Sequence, residues 1–171
     1  MEAAIVLPVV ALIVFGIVEI GFLFRSASVV ASSSRAGARI AAAQFASGTA
    51  AGIQTTVVDN IRLSVEKDLQ SKSGVDTPVE MYIYQAVDGT TPTSCTGNCI
   101  KLTWNTANKD FENPTGTWAN PDACGKVIDS VGVFVRVDHA PIGFTTFFNT
   151  IQIKDKTVMR LEPRTDCTTP E

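Results

Sequence analysis

The chain has 171 residues, a net charge of −3, four cysteines and a single histidine. So mild a charge, with no Lys/Arg-rich block and no Gly-rich phosphate loop, gives no basis for nucleic-acid binding. The length allows one ordinary domain plus an appendage.

The appendage comes first. From Ala3 to Phe24 the sequence is one apolar run broken only by Glu19 and preceded by Glu2. As a helix, this run is about 33 Å long, enough to cross the hydrocarbon core of a bilayer. It is too long for the apolar core of a secretory signal and lacks the basic start such a signal has. It continues through Arg25 into a stretch rich in Ala, Ser and Gly, residue types that let helix backbones approach closely. The neighbour expected for that second half is another helix or a sheet face. Unbroken, the arm reaches about 75 Å. Pro8 removes a backbone donor early in the helix and predicts a kink or local loosening. Glu19 at mid-bilayer carries a cost of about 2.5–3.5 kcal/mol, which places it at an interface, six residues from Arg25, or against another helix.

Gly48 and Gly52 predict a break, so residues 1–52 form the arm and 53–171 the head. Ile53 to Gln70 has helical periodicity, with Val57, Val58, Ile61, Val65 and Leu69 on one face and Asp59, Arg62, Glu66 and Lys67 largely opposite. Beyond Ser71 the period becomes two. Strands are predicted over Val79 to Ala86, Cys99 to Trp104, Ser130 to Asp138 and Ile153 to Leu161, with Pro163 as a stop. The expected fold is therefore α+β: a long amino-terminal helix, then an amphipathic helix packed on a four-stranded antiparallel meander. Phe111 and Trp118, in the Asn-, Pro- and Gly-rich excursion between the second and third strands, are expected to pin that loop to the sheet. Pro141 to Asn149 reads as a short helix over a sheet edge or as an exposed contact patch.

All four cysteines lie in the head, the arrangement of a disulfide-stapled domain in an oxidising compartment. Zinc, with His139 as a further ligand, is the competing reading, but no paired Cys-x-x-Cys spacing is present. In the expected meander Cys95 and Cys99 share one rim and Cys124 and Cys167 the other, which predicts Cys95–Cys99 and Cys124–Cys167. The second bond closes a loop of about 43 residues, a stabilisation of about 4 kcal/mol on the chain-entropy model. Arg25, Arg35 and Arg39 follow the span with nothing basic before it. The positive-inside rule then conflicts with an external head unless a basic leader ahead of Met1 is removed on maturation. No metal or cofactor is expected, and no enzyme: there is no Gly-x-Ser-x-Gly, and Asp138-His139 reads as a solvated strand end.

The segment Glu2 to Gly21, with its acid, Leu7-Pro8, apolar run and closing Phe-Gly-Ile-Val-Glu-Ile-Gly, resembles the amino-terminal signature of TadE-like proteins of bacterial tight-adherence pilus systems. Val131 to Pro163, ending Val-Met-Arg-Leu-Glu-Pro, resembles that family's closing strands, and the Cys…Cys…Trp…Cys middle is similar to its actinobacterial branch. The resemblance implies a pilin-like or pseudopilin subunit on the cell surface. Its helix would sit in the inner membrane before assembly and among the helices of sister copies or other pilins afterwards, with the head displayed outside for adhesion or assembly. It further implies a prepilin peptidase and pilus-assembly machinery as partners, with Glu2, Pro8 and Glu19 in subunit packing. Pilin-like chains place the acid five residues after the cut, whereas Glu2 is second here. A membrane-anchored binding module that stays monomeric is the alternative.

Overall fold

A computed structural model describes residues 2–45, 51–70, 76–87, 95, 97–118, 121–124, 128–141 and 150–163, with side chains from residue 6 in the first helix and from residue 55 in the second. Helix α1 spans Glu2–Phe45, 44 residues, or about 66 Å. The helical assignment runs on through Pro8. Helix α2 spans Ala51–Gln70, so Gly52 lies inside it rather than at a break; Gly48 is outside the described residues.

Five strands follow: β1 Asp76–Gln85, β2 Cys99–Asn105, β3 Asp110–Thr115, β4 Ser130–His139 and β5 Ile151–Arg160. They form one antiparallel sheet in the order β3-β2-β1-β4-β5. The α+β class holds. The expected four-stranded meander is corrected on two points: β3 is an additional strand, and β4 pairs with β1 rather than with β2. β1 takes the centre because it buries both faces, with Met81 through Tyr84 all nearly inaccessible. Phe111 lies in β3, 5.0 Å edge-on from Trp104. Trp118 is fully buried 5.1 Å from Phe45 of α1. Both aromatics thus anchor the excursion to the core.

One face of the sheet carries Met81, Ile83, Leu102 and the odd-numbered valines Val131 to Val137, and both helices cover it. Burial of this many branched side chains against two helices is the main favourable term holding the head together. Small residues set the helix spacing. A Cβ added at Gly37 would meet Val65 Cγ2 at 2.8 Å and Val133 Cγ1 at 3.2 Å, so α1, α2 and β4 converge on that glycine. Ser33 and Ser34 are fully buried in α1. Their hydroxyls donate back to Val30 O at 2.8 Å and Ala31 O at 3.1 Å. Ser34 also reaches Asp155 and Thr157 of β5.

β3 is too short and too poor in strand formers to stand alone, and α2 supplies what it lacks. The Phe111 amide donates to Glu66 Oε1 at 2.6 Å, and the Phe111 carbonyl accepts from Arg62 at 3.2 Å. Glu66 is therefore buried, which corrects its assignment to the solvated face of α2. Burial lifts its carboxyl above the usual range, opposed by the Phe111 N–H and by Arg62.

The ends of the strands define two rims. At one, Cys95 and Cys99 are joined by a disulfide, and Asp129 ties β1, β4 and β5 together. It accepts from Gln85 at 2.6 Å and from the Asp122 amide at 2.8 Å, while its carbonyl accepts from Leu161 N at 2.9 Å. Because β4 lies beside β1, its start falls on the same rim as Cys95 and Cys99. This corrects the two-rim argument for the cysteines. Cys124 is disulfide-bonded too; Cys167 and residues 142–149 lie outside the described residues. The opposite rim carries Asp76, His139 and Ile151, and α1 passes it first.

Candidate functional site at the junction of arm and head

Helix α1 has two environments. Leu7 is 69% exposed, Phe15 58%, Ile17 65% and Phe24 70%. An 18-residue window of the helix has mean hydropathy 2.6 with none of it buried. Between Val6 and Val18 every side of the helix is apolar, and Pro8 is exposed there like its neighbours. A helix apolar all round belongs in lipid or inside a protein assembly. From Ser26 onward the same helix turns Val29, Val30, Ala38, Ala41, Ala42 and Phe45 into the head's core. The change falls between Glu19 and Ser26.

Glu19 leaves the apolar arm to meet the head. Its Oε1 lies 3.2 Å from His139 Nε2, and His139 Nδ1 lies 2.6 Å from Asp76 Oδ1. The His139 side chain is wholly inaccessible, that of Asp76 is 10% exposed and that of Glu19 18%. The reading of Asp138-His139 as a solvated strand end is thereby overturned for the histidine. Strand parity explains it: Val131, Val133, Val135, Val137 and His139 all point to the helix-covered face. The register sets Asp76 directly opposite His139 across the β1–β4 ladder. The helix then brings Glu19 to the ring's other nitrogen.

Both ring nitrogens face carboxylate oxygens, so the buried imidazole has a polar partner on each side. Both nitrogens are engaged, so neither stands over a nucleophile. Among the described residues no group of three or more His, Cys, Asp or Glu is arranged to hold a metal. The arrangement suits a mechanical role: it ties the emerging helix to the rim of the sheet nearest the apolar segment.

Higher on the helix a second set of polar contacts continues the tie. Ser32 donates to Asp68 of α2 at 3.4 Å, Asn60 of α2 donates to Gln44 at 2.9 Å, and the Glu162 amide donates to Ala42 O at 3.1 Å. From Glu19 to Ala42 the helix covers about 35 Å, matching the roughly 33 Å of a ten-residue strand. α1 therefore spans the sheet from rim to rim. Arg25, Arg35 and Arg39 stay exposed on the side facing away.

Of the residues expected to act in packing or assembly, Glu2 lies in α1 with its side chain outside the described residues, Pro8 is exposed on the free arm, and Glu19 is bound into the junction. Asp76 and His139 were not among them. The odd-numbered run of valines ending at His139 was the available signal. No curated protein and no solved structure matches the chain. The family model of TadE-like proteins matches residues 1–39, which take in the whole apolar arm, Glu19 and the first buried serines, and does not reach the closing strands over 131–163.

Proposed function

We propose that this chain is a pilin-like subunit of a tight-adherence pilus system. It is held in the inner membrane by the first half of α1, and the pilus-assembly machinery then packs it through that same segment against sister copies or other pilins. The head is displayed outside the cell. The observation that carries this reading is the single continuous helix whose amino-terminal half is apolar on every side and whose second half is already a core element of the head. Such a helix passes from lipid to a protein interior without unfolding, because both environments satisfy its backbone internally. In lipid, helix association gains nothing from hydrophobicity and rests on close packing. Gly16 on the free arm and Gly21 just past Glu19 have open space over their Cα atoms, where a neighbouring helix can approach.

The test is cysteine crosslinking at Val10 and Phe15 in material sheared from the cell surface, with negative-stain microscopy of the same fraction. Crosslinked ladders of this chain, or adducts with other pilins, in a fraction containing fibres are expected. Recovery of the chain only as uncrosslinked monomer in the membrane fraction would overturn the proposal in favour of a solitary anchored module.

A further inference from the structure

The two edges of the sheet are treated differently. At the β3 edge the outward amide and carbonyl of Phe111 are occupied by Glu66 and Arg62. Asn113 adopts a φ of 53° there, and Pro114 has no amide hydrogen. That edge is closed to a further strand. At the other edge β5 runs ten residues in unbroken register with β4, without a bulge or a proline, and ends the strand order among the described residues. Long regular edges are the ones to which another chain can add.

The alternation of ladder bonds shows what that edge offers. Leu161 N donates toward Asp129 O, so the odd-numbered residues of β5 bond inward to β4. The amides and carbonyls of Lys154, Lys156 and Val158 therefore point outward. The side chains of Lys154, Lys156 and Arg160 share the sheet face away from the helices with Arg136 and Lys101. The acids on this face of β1 and β4 are Glu80, bridged by Lys101 at 2.8 Å and Arg136 at 2.9 Å, and Asp138; Glu112 lies on it at the far β3 edge, held by Asn105 and Asn108. Asp155 points to the opposite face, where Ser34 and Thr157 hold it near α1.

We infer that the outer edge of β5 is a docking edge for an extended segment of a different polypeptide, one with acidic side chains at alternate positions. That segment would add to β5 as a sixth strand and set its carboxylates opposite Lys154, Lys156 and Arg160. Backbone pairing provides the attachment, and the alternate side chains select the partner. A second copy is the wrong occupant. Pairing β5 with β5 about Asp155 sets Lys154 against Lys156 twice, and the β3 edge of a second copy is closed as described. This edge is separate from the apolar arm, so fibres that form without strand addition would remove only this inference, and strand addition without fibres only the filament reading.

The test uses the full chain in detergent micelles and a blocked ten-residue peptide with glutamate at every second position and valine or threonine between. A peptide with lysine replacing glutamate is the control. Fluorescence anisotropy and amide hydrogen exchange are read together. The acidic peptide should bind and slow exchange at Lys154, Lys156 and Val158, and the lysine peptide should do neither. Val158→Pro removes an outward amide without touching the β4 ladder and should weaken binding at least about tenfold. The exposed double reversal Lys154→Glu with Lys156→Glu should do the same and serves if the proline variant does not fold. No protection at these amides, or equal affinity in both folded variants, overturns the inference.

Discussion

The tie between Glu19 and His139 makes a quantitative prediction. Glu19→Ala removes the acceptor 3.2 Å from a fully buried ring nitrogen. A hydrogen bond to a charged group contributes about 1.5–3 kcal/mol net, and partial exposure of Glu19 puts this one toward the lower end. A few tenths of that return through the better helix propensity of alanine. The expected loss is about 1.5 kcal/mol, a fall in Tm of about 3–6 °C for a chain of this size. His139→Ala leaves Asp76 and Glu19 facing each other across an emptied site, and breaking a buried charge cluster in this way costs about 3–5 kcal/mol. Urea unfolding of the protein in micelles, followed by the fluorescence of Trp104 and Trp118, measures both variants and their combination. The double-mutant cycle should return a coupling of about 1–3 kcal/mol. If Glu19→Ala costs less than about 0.5 kcal/mol and the pair is additive within about 0.5 kcal/mol, the contact does not hold the arm to the head.

Two further perturbations probe the packing of α1 and α2. Gly37→Leu places a large side chain where even a Cβ comes within 2.8 Å of Val65; overpacking of about 1–3 kcal/mol should exceed the gain in helix propensity, and a variant as stable as the parent in thermal melts would show that the three elements do not converge there. Glu66 has a carboxyl pKa raised above 4.5, chiefly by burial, so the folded chain binds that proton more tightly than the unfolded chain. Its contribution to stability should therefore decline as pH rises from about 4.5 through the folded value and stay reduced above it. The parent-minus-variant stability of Glu66→Gln, measured by urea titration across that range, should fall with pH. A difference that is flat or rises with pH contradicts the assignment.

The elements with strong local periodicity were legible in the sequence: the apolar half of α1, the valine face of α2, and the alternating runs of β1, β4 and β5. β3 was not, because Asp-Phe-Glu-Asn-Pro-Thr has the composition of a turn. It becomes a strand through tertiary contacts, namely the Trp104–Phe111 edge contact and the side chains of Glu66 and Arg62 acting as its outer neighbour. The same contacts explain why Glu66 misread. Its place in the α2 period is polar, but the partner it serves is some 45 residues away along the chain. The sheet order escaped for a related reason. Nothing local distinguishes a β4 that follows β2 from one that returns to β1; that choice follows from burying Met81 to Tyr84 on both faces.

An acid in an apolar run is expensive, which marks Glu19 in the sequence, yet its partner is not legible in the arm alone. The cost of Glu19 and the parity of His139 are one observation seen from two ends. A histidine on the covered side of β4 needs polar neighbours, and an acid in the arm needs a donor, and the register that sets Asp76 beside His139 leaves one ring nitrogen for the helix. The consequence is geometric. Among the described residues the helix ahead of Glu19 is largely exposed, and from Ser26 onward it is part of the head's core, so the tie marks where the apolar arm leaves the head. Lengthening the arm ahead of Glu19 leaves the head's packing unchanged, whereas inserting one residue between Glu19 and Val29 turns the acid about 100° away from His139 and separates the two halves.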